Sequence, residues 1–265
     1  MLAATRSELV RLRRPRLLAG WFALMGLFAI MINTVMFTAA SRGTAPPAGG
    51  PGVSFPSAAA LAASGGLVAG LSAASNIFGV VTLSFWAVVT ATDYTTGLVR
   101  LLAAAQPHRW PLVVGKVAAL TVVTVAATTV ATVMNLIAAW PAARAAGIST
   151  SAWTISPVGA VASTWLNTLA ALLVWGVIGL VLAVLTRSSA VAISVGVGYV
   201  LVVESIVKMA MSGSSDWLPG STLNALARGG TPSLSYAAAG ALGLVYVIIG
   251  LGLALTVVTR RDITD

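Results

Sequence analysis

Six stretches of this chain stay apolar long enough to cross a bilayer as helices: roughly 17–40, 61–91, 112–140, 157–185, 190–211 and 236–259. A hydrocarbon core about 30 Å thick takes about 20 helical residues. Only Thr186-Arg187-Ser188-Ser189 separates the fourth run from the fifth, which predicts a tight hairpin. The second run is longer than a crossing requires and opens at Gly65 and Gly66, so its start is poorly defined. Thr38, Ala39 and Ala40 imitate a leader-cleavage site. A leader's apolar region is about 7–15 residues, however, and the first run is longer, so a span is expected.

The connections differ in character. Residues 41–60 are rich in Pro, Gly and Ser without periodicity and predict a flexible loop. Within 212–235, Trp217-Leu218-Pro219 and Leu223-Asn224-Ala225-Leu226 are amphiphilic, which predicts a short re-entrant or interfacial helix. Residues 1–16 set Leu2, Leu9 and Leu12 among Arg6, Arg11, Arg13, Arg14 and Arg16. That pattern predicts an interfacial helix on anionic lipid, or one that docks a partner through Glu8, Arg11 and Leu12. Residues 92–116 form a basic, partly amphipathic island between two apolar runs, suited to lie at a membrane surface and touch a partner.

Composition sharpens this picture. The chain is 58% hydrophobic and 8% charged, against roughly 25% charged in soluble domains. The expected class is therefore an all-α polytopic membrane protein. A formal charge of +9 would ordinarily raise nucleic acid as a partner. Here the cations fall in the connections, where the positive-inside rule puts them, so no nucleic acid is expected. With the N-terminus cytoplasmic, Arg6, Arg11, Arg13, Arg14, Arg16, Arg100, Arg109, Lys116, Arg187, Arg260 and Arg261 lie inside. Arg42, Arg144 and Arg228 lie outside, and Lys208 falls within the fifth run. Both termini are expected in the cytoplasm. The Ala, Val, Gly and Arg bias fits a GC-rich bacterial genome.

Most catalytic chemistry is missing from the sequence. There is no cysteine and one histidine, His108, so thiolate sites and imidazole clusters are excluded. Asp93, Glu204, Asp216 and His108 are too scattered to suggest a membrane enzyme. Gly115-Lys116 imitates the end of a phosphate-binding loop, but that loop needs a glycine at position 110, which is Trp. Transport would thus need either an ion gradient or an ATPase borrowed from another chain. The spans carry almost no ionisable groups. The exceptions, Glu204 and Lys208, are spaced for an i,i+4 bridge toward the outer end of the fifth run. They read as a self-neutralising interfacial pair, an outer gate or a proton-coupling pair.

Two polar stripes follow helical spacing: Ser72, Ser75, Asn76, Gly79 and Thr82 on the second run, and Thr121, Thr124, Thr128, Thr132 and Asn135 on the third. Such groups either bind helices together or line a pathway. Packing is the expectation for the third run. For the second both readings stay open, with Ser72, Ser75, Asn76 and Thr82 as pathway candidates. Gly66-x-x-x-Gly70 permits close helix approach.

The order of these features resembles the ABC-2 type permeases of ABC transporters. The matching residues after the second span are Asp93, Tyr94, Gly97 and Arg100, then Leu101, Leu102 and Ala103, then Arg109, Pro111 and Lys116. Leu218-Pro219, Asn224-Ala225-Leu226 and the ending Arg260-Arg261-Asp262-Ile263 are also similar, although Asp93 stands where Glu is more usual. The resemblance implies a permease dimer, homo- or heteromeric, on two copies of a separate ABC ATPase subunit. ATP and Mg would be held by that ATPase, with no cofactor in this chain. It further implies a coupling segment at 93–109, with Asp93, Tyr94, Gly97, Arg100, Leu101, Leu102 and Arg109 addressing the ATPase. A short helix over 94–105 is expected there, with Asp93 favouring its N-terminal dipole and Pro107 limiting it. The implied activity is export of a hydrophobic or amphiphilic compound across the bacterial plasma membrane. A secondary transporter, a channel and a non-transporting immunity or scaffold protein are the alternatives.

Overall fold

The computed structural model describes residues 2–43, 55–99, 101, 110–154, 157–210 and 215–260. Among them every regular element is helical. Six segments are long and apolar enough to cross a membrane: Pro15–Arg42, Ser64–Thr95, Trp110–Ala145, Pro157–Thr186, Ser189–Ala210 and Tyr236–Arg260. A separate helix, Leu2–Leu12, precedes the first span, and Pro219–Arg228 forms a short helix before the sixth.

The boundaries follow local chemistry. Pro15 sits in the first turn of the first span, where a missing N–H costs nothing. Gly43 closes that span in the left-handed conformation. The hairpin at 186–189 is built from its own hydroxyls: Ser188 Oγ accepts from Val191 N, and Thr186 Oγ1 accepts from Ser188 N.

The second span is not continuous. It runs as a 3-10 turn over Ser64–Val68, a short helix Ala69–Ala73 and a longer helix Ser75–Thr95. The sequence's ill-defined start is thus a real interruption, and buried side chains from other spans take up its free groups. Asn135 Nδ2 donates to the Leu67 carbonyl at 3.0 Å, and Asn33 Nδ2 donates to Asn135 Oδ1 at 2.8 Å. Gly70 lies against both amides, and a Cβ there would overlap them. At the same end Trp153 Nε1 donates to the Leu61 carbonyl at 2.9 Å. These contacts satisfy backbone groups that a bilayer leaves without partners.

The centre of the bundle is the pairing of the second and fourth spans. Gly79 makes room for Trp175, Gly176 makes room for Trp86, and Gly179 lies against the Leu83 backbone. Each tryptophan is fully buried over the other helix's glycine, so small residues permit an approach that aromatic bulk then fills. The first span joins through Trp21, which stacks on Phe85 with ring centroids 3.8 Å apart. The fifth and sixth spans are peripheral, with far less of their surface inside the protein.

The third-span stripe bonds to other spans at Thr124 and Asn135. Thr124, Thr128, Thr132 and Asn135 are buried. Each threonine donates to the carbonyl four residues back, and Thr124 Oγ1 also accepts from Trp86 Nε1 at 3.0 Å. Thr121 is half-buried.

Candidate functional site

Lys116, near the start of the third span, is the centre of a buried charge cluster at the N-terminal end of the bundle. Its Nζ lies 2.5 Å from Asp93 Oδ2 and 3.1 Å from Glu8 Oε2. Glu8 Oε1 in turn pairs with Arg11 Nη1 at 2.7 Å, while Arg11 Nη2 donates to Ser7 Oγ. Glu8 is 4% exposed and Asp93 9%. Three separate segments are therefore tied together: the N-terminal helix, the end of the second span and the beginning of the third. A buried ion is costly unless it is paired, and here two acids meet two bases.

The cluster stands at the root of the 93–109 segment. The expectation that Asp93 opens a helix is overturned: the second span continues to Thr95, which puts Asp93 in its last turn. A carboxylate is disfavoured at that end of a helix dipole, and the pairing with Lys116 offsets this. Gly97, at φ +70, turns the chain. A new helical stretch begins at Leu98 rather than 94, with Leu101 N donating to the Gly97 carbonyl. Tyr94 is half-buried against the main core, and Leu101 is 70% exposed. Leu98 lines a recess of about 110 Å³ together with Glu8, Arg11, Arg14, Asp93 and Lys116. Arg100, Leu102 and Arg109 lie outside the described residues, as do Pro107 and His108.

The N-terminal helix turns one side to the bundle. Leu12 is buried and Leu9 packs against the core, while Glu8 and Arg11 join the charge cluster. Glu8, Leu9, Arg11 and Leu12 are thus engaged within the chain, while Arg6, Arg13, Arg14 and Arg16 stay exposed.

At the opposite end Glu204 and Lys208 pair at 2.9 Å, but the pair is asymmetric: Glu204 is 2% exposed and Lys208 side chain 38%. Glu204 Oε2 also accepts from Gly220 N at 2.9 Å, and Oε1 accepts from Ser221 Oγ at 3.2 Å. This carboxylate therefore holds the N-terminus of the 219–228 helix, satisfying an orphan donor and meeting the positive end of the dipole. A Cβ at Gly220 would overlap the carboxylate. The five residues before Glu204, Tyr199–Val203, form a π-helical turn. Such a turn shifts helical register: Leu201, Val202 and Val203 face outward, whereas Glu204 turns in.

The 219–228 helix is an internal element rather than a surface one. Gly220, Thr222, Leu223, Ala225, Leu226 and Ala227 are buried. Asn224 Nδ2 donates to Ser75 Oγ at 3.0 Å, which gives one member of the second-span stripe a tethering role. Burial alone pushes the Arg228 guanidinium below its ordinary value. Ser72 Oγ donates to the Ala69 carbonyl. Asn76 Oδ1 and Thr82 Oγ1 are buried without hydrogen-bond partners among the described residues.

Sequence reasoning missed the Glu8–Lys116 link, the Asn33–Asn135 contact and the Glu204–Gly220 bond. Each joins residues far apart in the chain. The only local signals were a buried-type polar residue, Asn33, in an apolar run and an acid, Glu8, among arginines.

Together these features define a six-span helical bundle of multi-pass membrane character, with an ionic junction at one end and a carboxylate-held helix at the other. The family model described as "Protein of unknown function (DUF2705)" matches residues 26–264, and the chain belongs to that family. No curated protein matches it.

Proposed function

We propose that this chain is the membrane subunit of a bacterial ABC-2 type exporter, in which the 93–109 segment receives motion from a separate ABC ATPase. The observation that carries the reading is the Glu8–Lys116–Asp93 cluster. A loop that merely connects two spans needs no such anchorage. Here its first residue is bonded to the third span and, through Lys116, to the N-terminal helix. A push on the segment therefore moves three elements together.

The orientation rests on the arginine and lysine bias, with the charge cluster, the N-terminal helix and both termini in the cytoplasm of a plasma-membrane protein. A dimer of permeases, homo- or heteromeric, sits on two ATPase subunits that hold ATP and Mg. Exposed Leu101 offers an apolar contact to the ATPase, and Arg100 and Arg109 add charge. Asp93 acts behind that surface as a positioning residue. Glu204 and Lys208 serve as the outer gate, with Glu204 fixing the 219–228 helix against the bundle and Lys208 paired to it. The cargo is a hydrophobic or amphiphilic drug, lipid or peptide, matched to spans that offer hydroxyls, amides and aromatic rings but few charges.

The test is whether an ABC ATPase is encoded beside this gene and co-purifies with the chain, followed by ATP hydrolysis in lipid. Arg100→Ala and Arg109→Ala are expected to weaken assembly. Asp93→Ala is expected to leave assembly but uncouple hydrolysis from transport. Transport that persists without any ATPase would rule the reading out.

A further inference from the structure

The N-terminal helix and the turn that leads into the first span divide their charges between two uses. Glu8 and Arg11 enter the buried cluster with Asp93 and Lys116, where two acids and two bases cancel. Arg6, Arg13, Arg14 and Arg16 remain exposed and form no salt bridge among the described residues. Helical spacing explains the division. Glu8, Leu9 and Leu12 turn to the bundle, while Arg6 and Val10 lie one turn apart on the other side; Arg13 and Arg14 occupy the break after this helix, and Arg16 the first turn of the first span. Val10 is 58% exposed among them.

Chain connectivity sets the depth of this basic face. Pro15 begins the first span, so Arg13, Arg14 and Arg16 sit where the chain enters the hydrocarbon, at the level of lipid phosphates. Leu9 and Leu12 are already packed in protein, so insertion of these two is not what holds the helix on the membrane. Around Val10 the exposed face is cationic, and its complement at that depth is phosphate.

We propose that this basic face is a seat for anionic phospholipid headgroups, and that its occupancy is relayed to the 93–109 segment through Glu8, Lys116 and Asp93. Arg14 lies at the junction of the two, since it lines the same recess as Arg11, Lys116 and Leu98. A ligand shifts a conformation only if it binds one state better. With the helix docked on Lys116, its Arg6 meets the headgroup layer beside Arg13 and Arg14 of the following break and Arg16 of the first span, so anionic lipid favours the docked state and steadies Asp93 and Leu98. The regulatory meaning rests on the coupling role proposed for 93–109; the lipid contact does not.

The experiment places the full chain, without any ATPase, in nanodiscs of phosphatidylcholine with and without phosphatidylglycerol. Retained lipid is counted after mild extraction, and amide exchange is followed over 93–101. Wild type is expected to retain phosphatidylglycerol over phosphatidylcholine by about tenfold and to exchange several-fold more slowly at 93–101 when it is present. Replacing Arg6, Arg13, Arg14 and Arg16 together by Gln touches only exposed side chains and is expected to abolish both effects. Glu8→Gln is expected to keep the lipid preference and lose the slowed exchange; Glu8→Asp, a milder change, checks that the loss is not unfolding. Equal retention of the two lipids by wild type, or an undiminished preference in the fourfold variant, overturns the seat. Lipid-dependent slowing that survives in both Glu8 variants overturns the relay. Neither result depends on the ATPase, so failure here is separate from failure of the exporter reading.

Discussion

At the N-terminal end of the bundle Lys116 serves two carboxylates from two other segments, whereas at the opposite end Glu204 serves a lysine, a backbone amide and a hydroxyl. The first arrangement is charge against charge between three independent elements. The second is one carboxylate satisfying the start of a helix, with its lysine neighbour half in solvent. The difference teaches what each end depends on. Removing the central lysine leaves Asp93 buried without its base and Glu8 with Arg11 alone, while removing the outer lysine leaves Glu204 still bonded to Gly220 and Ser221.

Four substitutions rank these dependences. Lys116→Met is expected to have the largest effect, about 3 kcal/mol of lost stability, because uncompensated buried charge is the costly outcome. Thermal unfolding in detergent measures it, and a melting point equal to wild type would show that the cluster is not a structural junction. Glu204→Ala should cost about 2 kcal/mol, since it strands the Gly220 N–H. The loss should be local: amide exchange over 219–228 rises while the second and fourth spans stay protected, and Glu204→Gln recovers part of it. Asn135→Ala removes the partner of the Leu67 carbonyl and of Asn33, and about 1 kcal/mol is expected for a polar contact between spans. Lys208→Ala comes last at about 0–1 kcal/mol, because its partner is held by other donors and water screens its exposed side chain. If Lys208→Ala matched Lys116→Met, the contrast between the two ends would collapse.

The proportion legible in the sequence differed between these regions. The six spans, the hairpin at 186–189 and the short helix near 219 follow from hydropathy and turn chemistry, which are local. The Glu204–Lys208 bridge was also legible, because i,i+4 spacing fixes it within one helix. Its more consequential partner, Gly220, was not, since only packing brings the fifth span against the 219–228 helix. Asp93 was placed correctly after an apolar run but assigned to the wrong helix end. No local signal reveals that the span continues to Thr95 when the ion pair with Lys116 stabilises its last turn.

The sequence by itself determined an all-helical, six-span bundle with a biased distribution of cations, because bilayer thickness and backbone hydrogen bonding leave few other solutions for so apolar a chain. Tertiary structure alone decided which polar side chains meet. Glu8 and Lys116, Asn33 and Asn135, and Glu204 and Gly220 are joined because buried polar groups must find partners. In a helical bundle those partners lie across the packing interface rather than along the chain.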